Sequence, residues 1–229
     1  MSNIGRTFRD RAEAGRVLAP EVARCLDGTG RDDLQVLGLA RGGVPVGWEV
    51  ASFLRAPLDV CLVRKLGVPK WPELAMGAVT TGGGVVFNDD LIRSLGISDG
   101  QVREVMARET AELDRREQAY RGDRGPLKLA GQTVILVDDG IATGASMAAA
   151  ARSVRQAGAT RIIVGVPVGP DSACRELRKD VDEVVCLTTP ADFAAVGEAF
   201  EDFHQVSDDE VRALLATPTA ESPATDLNR

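Results

Sequence analysis

Three apolar runs rich in β-branched residues, TVILV (133–137), RIIVGVPV (161–168) and EVVCL (183–187), are separated by two segments of helical periodicity, at about 145–157 and 171–179. Runs of this length bounded by turn residues are strands. Successive strands joined through a helix pair in parallel by crossover connections, which leaves helices on both faces of the sheet. The first part of the chain repeats the pattern: LQVLGLA (34–40) is a strand closed by RGG, VPVGWEVASFL is a helix, and LDVCLVRK (58–65) is a further strand. Before them, residues 8–26 carry Phe8, Ala12, Val17, Leu18, Val22 and Leu26 at helical spacing, interrupted at Pro20, which predicts one helix kinked or split there. The fold class is α/β: a mostly parallel twisted sheet flanked by helices.

The segment 65–124 departs from this alternation. LGVPKWPELAMGAVTTGGGVVFN is rich in proline and glycine, and MGAVTTGGGVVF predicts a hairpin turned at 82–84. Residues 99–121 form a long charged helix with a narrow stripe of Val102, Val105, Met106, Leu113 and Tyr120, open equally to internal packing and to a homodimer contact. We expect one domain over 1–216, with 65–124 inserted as a lid or hood, and a polar, disordered tail at 217–229.

With 44% hydrophobic and 27% charged residues in 229, the composition is that of a soluble globular chain, and no apolar run approaches the roughly 20 residues that span a bilayer. The start carries no apolar stretch of signal-peptide type, so the expected location is the cytoplasm. Cys25, Cys61, Cys174 and Cys186 lie far apart without a C-x-x-C, and His204 is the one histidine, so a metal cluster and an imidazole-based hydrolase both lose support. A net charge of −7 opposes broad nucleic-acid binding.

Chemistry concentrates in VILVDDGIATGAS (134–146). Ligands of open α/β sheets bind beyond the carboxyl ends of the strands, and the small residues 140–146 would let backbone N–H groups and a helix dipole meet an anion such as phosphate. The loop lacks the lysine of a P-loop, and G-x-G-x-x-G is absent. Two ionised carboxylates beside a phosphate suit the vicinal hydroxyls of a sugar, with a divalent cation nearby to relieve their repulsion. The alternative is that Asp138 and Asp139 only cap the next helix.

This stretch resembles the phosphoribosyl-diphosphate (PRPP) motif of the type I phosphoribosyltransferases: a hydrophobic strand, two acids, and a small loop ending in T-G-x-[ST]. The resemblance implies that Asp138 and Asp139 hold the ribose hydroxyls and reach Mg2+ indirectly, through those hydroxyls or water. It also implies that Ala142, Thr143, Gly144, Ala145 and Ser146 take the 5′-phosphate. LARGGVPVG (39–47) is similar to the family's diphosphate loop, often built on a non-proline cis peptide, so Gly42 and Gly43 would present N–H groups and Arg41 a bidentate cation. Taken alone, RGG is equally a plain turn. Lys65 and Arg64, closing the next strand, are where the family reaches for diphosphate, although a strand-end lysine is often merely solvated. The whole chain resembles a bacterial group of such transferases, marked here by residues 8–15, 41–46, 64–69, 73–78, 137–144, 193–197 and 202–203, over about 6–216.

The reaction implied is displacement of diphosphate from C1 of PRPP by a nitrogen nucleophile, with Mg2+, Arg41, Lys65 and glycine amides stabilising the leaving group. Residues 66–84 would be the closing loop, with Trp71 either stacking on the acceptor or anchoring the loop, and Glu73 as the acid–base group or a plain surface carboxylate. Ala142 stands where transferases for 6-oxopurines carry an acid, which turns the expectation toward another nucleobase or related small molecule. The alternatives are a non-catalytic sensor of PRPP or a nucleotide using the same pocket, and a PRPP-forming diphosphotransferase, for which no ATP-binding segment is evident. Partners are expected to be small molecules, not nucleic acid or membrane.

Overall fold

The computed structural model describes residues 6–26, 30, 33–122 and 124–219. Helix α1 (Arg11–Arg24) is followed by β1 (Leu34–Leu39), α2 (Gly43–Leu54) and β2 (Leu58–Cys61). After the insertion come β6 (Thr133–Val137), α5 (Ala145–Gln156), β7 (Arg161–Val168), α6 (Asp171–Leu177), β8 (Glu183–Thr188) and α7 (Asp208–Ala216). The five core strands lie in the order β2-β1-β6-β7-β8, all parallel. Alternating side chains point to opposite faces of a strand, and the core divides accordingly. Val36, Ile135 and Ile163 join Leu18, Val22 and Val50 in one layer. Leu37, Leu136 and Ile162 join Met147, Val154 and Leu177 in the other.

The insertion comprises β3 (Val63–Val68), β4 (Trp71–Thr80), β5 (Gly84–Phe87), α3 (Asp89–Ser94) and α4 (Asp99–Arg121). Its strands form a separate antiparallel sheet ordered β3-β4-β5. The hairpin expected near 82–84 is present, with Gly82 and Gly83 at positive φ in the turn. α4 has the expected bounds, begins with a capping box between Ser98 and Gln101, and buries Val105, Leu113, Tyr120 and Arg121 while Val102 and Met106 stay half-buried. Arg121 bonds the buried Asp59 of β2 through Nε at 3.0 Å and Nη2 at 3.2 Å, tying the insertion to the edge of the core sheet.

Three expectations need correction. The run 58–65 is not one strand. Cys61 O accepts from Ala40 N, closing the core sheet, and Leu62 then exchanges bonds with Thr81, its N–H reaching Thr81 Oγ1 at 2.8 Å and its carbonyl accepting Thr81 N at 3.0 Å. That exchange carries the chain into the second sheet. Residues 66–84 are accordingly not a loop but the hairpin of β3 and β4 and the turn beyond it. α1 runs unbroken through Pro20, held by the buried stripe of Ala14, Leu18, Ala19 and Val22. Helices α3 and α7 were not anticipated; α7 starts in a capping box of Ser207 and Glu210. The tail expectation lies outside the described residues from 220 onward.

No helix among the described residues is long and apolar enough to cross a membrane.

Candidate active site

β1 and β6 are neighbours, with Gly38 opposite Val137, so the segments that follow them meet at the same edge of the sheet. The meeting is close. A Cβ on Gly42 would lie 2.0 Å from Asp139 Oδ2, and one on Gly43 would lie 2.4 Å from the Val137 carbonyl. Only glycine lets this turn sit against the acids. The Ala40–Arg41 peptide is cis.

The acids are largely enclosed. Asp138 Oδ1 accepts the N–H of Asp139 at 2.9 Å. Burial, then the repulsion of Asp139, push Asp138 well above the ordinary carboxylate range. Burial also raises Asp139, but a hydrogen bond and charge from Arg11 oppose the rise. Arg11 Nε donates to Asp139 Oδ2 at 2.8 Å, and the two side chains are only 8% and 14% exposed. The repulsion between the acids is therefore opposed in part by an arginine of this chain, which the sequence reading did not identify. Its signal was positional: Arg11 lies on the helix stripe of Ala14 and Leu18, and a charge on a buried stripe implies a buried partner.

The loop after the acids ends at Gly144, with φ +75°, the left-handed conformation that glycine adopts without penalty. Gly144 is the N-cap of α5 without a side-chain cap, and Ala142, Thr143, Ala145 and Ser146 are exposed. The first turn thus directs N–H groups outward, apart from a 3.3 Å bond from Ala145 N to Thr143 Oγ1.

The remaining candidates stand elsewhere. Lys65, Arg64 and Glu73 line a cavity of about 770 Å3 between the second sheet, α4 and α5, which includes Ala145 and Ser146 but not Asp138, Asp139 or Gly42. Lys65 and Arg64 do not end a core strand; they lie within β3. Lys65 Nζ contacts Glu73 Oε2 at 3.2 Å and its carbonyl at 3.3 Å, with the Glu73 side chain fully exposed on β4. Arg64 is engaged by Glu109 at 2.6 Å and 3.1 Å. Burial would raise Glu109, but the hydrogen bonds of Arg64 and Arg108 outweigh it and hold the group below its usual value. Trp71 at the start of β4 is 55% exposed. Arg41 reaches Asp208 of α7 at 3.4 Å, and Asp208 also accepts the Tyr120 hydroxyl at 2.6 Å. Burial and that bond push Tyr120 up to about 12. The His204 ring faces Asp202 and Glu210, both at 3.1 Å, and it is the backbone carbonyl of His204 that meets Arg11.

Among the described residues no group of three or more His, Cys, Asp or Glu side chains is placed to hold a metal ion. The acid pair could meet a hydrated cation only alongside oxygens from a ligand, the manner in which Mg2+ commonly binds with substrate phosphates.

Residues 79–202 match the family described as Phosphoribosyl transferase domain. Two Mycobacterium tuberculosis proteins, from strains H37Rv and CDC 1551, whose names provisionally call them phosphoribosyl transferases, are each 48% identical over 208 residues, 91% of this chain and 46% of theirs. The chain thus spans about half the length of these curated relatives. The crystal structure of TT1426 from Thermus thermophilus is 44% identical, covers 91% of this chain and 97% of its own, and superposes with a TM-score of 0.80. By sequence match over more than half its length and by these relatives, the chain belongs to the phosphoribosyl transferase domain family.

Proposed function

We propose that the chain binds PRPP with Mg2+ and transfers its 5-phosphoribosyl group to a nitrogen acceptor, a nucleobase or related small molecule, releasing diphosphate. The observation that carries this reading is the convergence of residues 41–43, the acid pair and the start of α5 at the ends of β1 and β6, with Gly42 seated against Asp139.

In this reading the 5′-phosphate accepts N–H bonds from residues 142–146 at the start of α5, where the helix dipole favours an anion. Asp138 and Asp139 orient the ribose by accepting from its 2- and 3-hydroxyls. That grip aims C1 at the acceptor and the diphosphate at the turn of Gly42 and Gly43, whose amides meet charge that grows as the C1–O bond breaks. Asp138 and Asp139 would hold Mg2+ indirectly, and the ion when bound would supply charge neutralisation of the leaving diphosphate. Arg41 must leave Asp208 to reach the diphosphate, and Lys65 must leave Glu73; both pairs are partly exposed, so the exchange costs little. Glu73, on the arm of the hairpin opposite Lys65, is our candidate for the proton taken from the acceptor.

The test is diphosphate release from PRPP and Mg2+ across a panel of nucleobases and small amines. Release above the blank with one acceptor class supports the transferase. PRPP binding without release for any acceptor would replace it with a sensor using the same pocket, and absence of PRPP binding would remove both.

A further inference from the structure

Arg11 is more firmly built in than an arginine serving only to start a helix. Asp10 caps α1 through the Glu13 N–H. The strand of chain before it is stitched to the segment after β8 by Phe8 N to Ala199 O, Glu201 N to Phe8 O and Asp202 N to Arg9 O, all at 2.8 to 2.9 Å. This brings Arg11 beneath residues 203 and 204. Its Nε bonds Asp139 Oδ2, its Nη1 bonds the His204 carbonyl at 2.8 Å, and its guanidinium lies 4.0 Å from the centre of the Phe203 ring. A planar cation fixed at two edges and one face has no freedom left to point elsewhere.

We propose that Arg11 is a positioning residue for sugar recognition: it is the resident cation of the acid pair, fixing Asp139 through Oδ2 so that the pair is partly compensated and already aimed when ribose arrives. The inference rests on the ribose reading above and adds to it a metal-independent half. Part of the compensation of the acids is supplied by the chain itself, through the Arg11–Asp139 pair. One oxygen of Asp139, Oδ2, is engaged by Arg11, so Oδ1 is the oxygen that Arg11 leaves for other donors. A merely structural Arg11 would staple α1 to the segment 202–204 and would be indifferent to which sugar binds.

The experiment compares ribose 5-phosphate, 2-deoxyribose 5-phosphate and inorganic phosphate by titration calorimetry in EDTA, on wild type, Arg11→Gln and Arg11→Lys. Wild type should prefer ribose 5-phosphate over the deoxy sugar by about tenfold without metal, the scale of one good hydrogen bond to a charged group. Arg11→Gln should collapse that ratio toward unity and leave phosphate binding unchanged. Arg11→Lys, which keeps the charge but not the fork, should fall between the two. A wild-type ratio in Arg11→Gln would overturn the positioning role while leaving the ribose site standing. Should Arg11→Gln fail to fold, Arg11→Lys decides alone: a ratio equal to that of wild type overturns the proposal. Wild type indifferent to the 2-hydroxyl would overturn the ribose reading, and this inference with it.

Discussion

The two groups of candidate residues are built in opposite ways. Around the acids, every group is close to its neighbour before any ligand arrives: Gly42 admits no Cβ, Arg11 and Asp139 are 8% and 14% exposed, and Asp138 is half-buried beside a like charge. At the cavity, Lys65 and Glu73 pair across the β3–β4 hairpin at 45% and 100% exposure, and, away from the cavity, Arg41 pairs with an exposed Asp208. The first arrangement is rigid and carries strain in its electrostatics. The second consists of weak surface pairs that exchange partners at little cost. The proposed transfer would use both, one end to hold the sugar still and another to close around the leaving group.

The contrast can be broken by substitution. Gly42→Ala should have the largest effect: its Cβ cannot coexist with Asp139 Oδ2 at 2.0 Å, so the acid must move, and PRPP affinity should fall by about a hundredfold, near 2.7 kcal/mol, in a fluorescence or calorimetric titration. Lys65→Ala should lower turnover by about tenfold with little change in PRPP affinity, less than the roughly hundredfold typical of a buried transition-state donor, because its ammonium is exposed. An equal loss in affinity would show that the arm is preformed after all.

Asp138→Asn sharpens the contrast through stability. Burial and the neighbouring acid raise the folded-state value above 3.8, so the folded chain binds that proton more tightly than the unfolded one. The contribution of this one group is therefore most favourable below 3.8 and declines as pH rises from there through its folded-state value. The variant should melt above wild type at neutral pH, with the gap closing near pH 4, while its affinity for PRPP falls. Smallest of all, Glu73→Gln should leave the melting temperature unchanged and act on turnover alone, through its pH dependence.

Legibility in the sequence follows the same division. The core strands over 133–137 and 161–168 were found to the residue, because buried parallel strands are continuous apolar runs ended by turn residues. The acid pair and glycine turns were legible because their chemistry lies in consecutive residues. The passage from core sheet to second sheet was not: LDVCLVRK has no glycine or proline at Leu62, and the switch depends on Thr81, nineteen positions later. Arg11 was hidden for the same reason, its partner lying 128 residues away. α7 was marked by Ser207 and Glu210, a capping box ahead of Val211 and Leu215, a signal carried by spacing within a few residues.

The central claim is that neighbouring carboxylates after Val137 grip a ribose. The most direct measurement is the PRPP dissociation constant of Asp138→Asn combined with Asp139→Asn, beside circular dichroism to establish that the variant folds. The account expects affinity to weaken by about tenfold or more, 1.4 kcal/mol or greater. A folded double variant that binds PRPP as wild type does would contradict it.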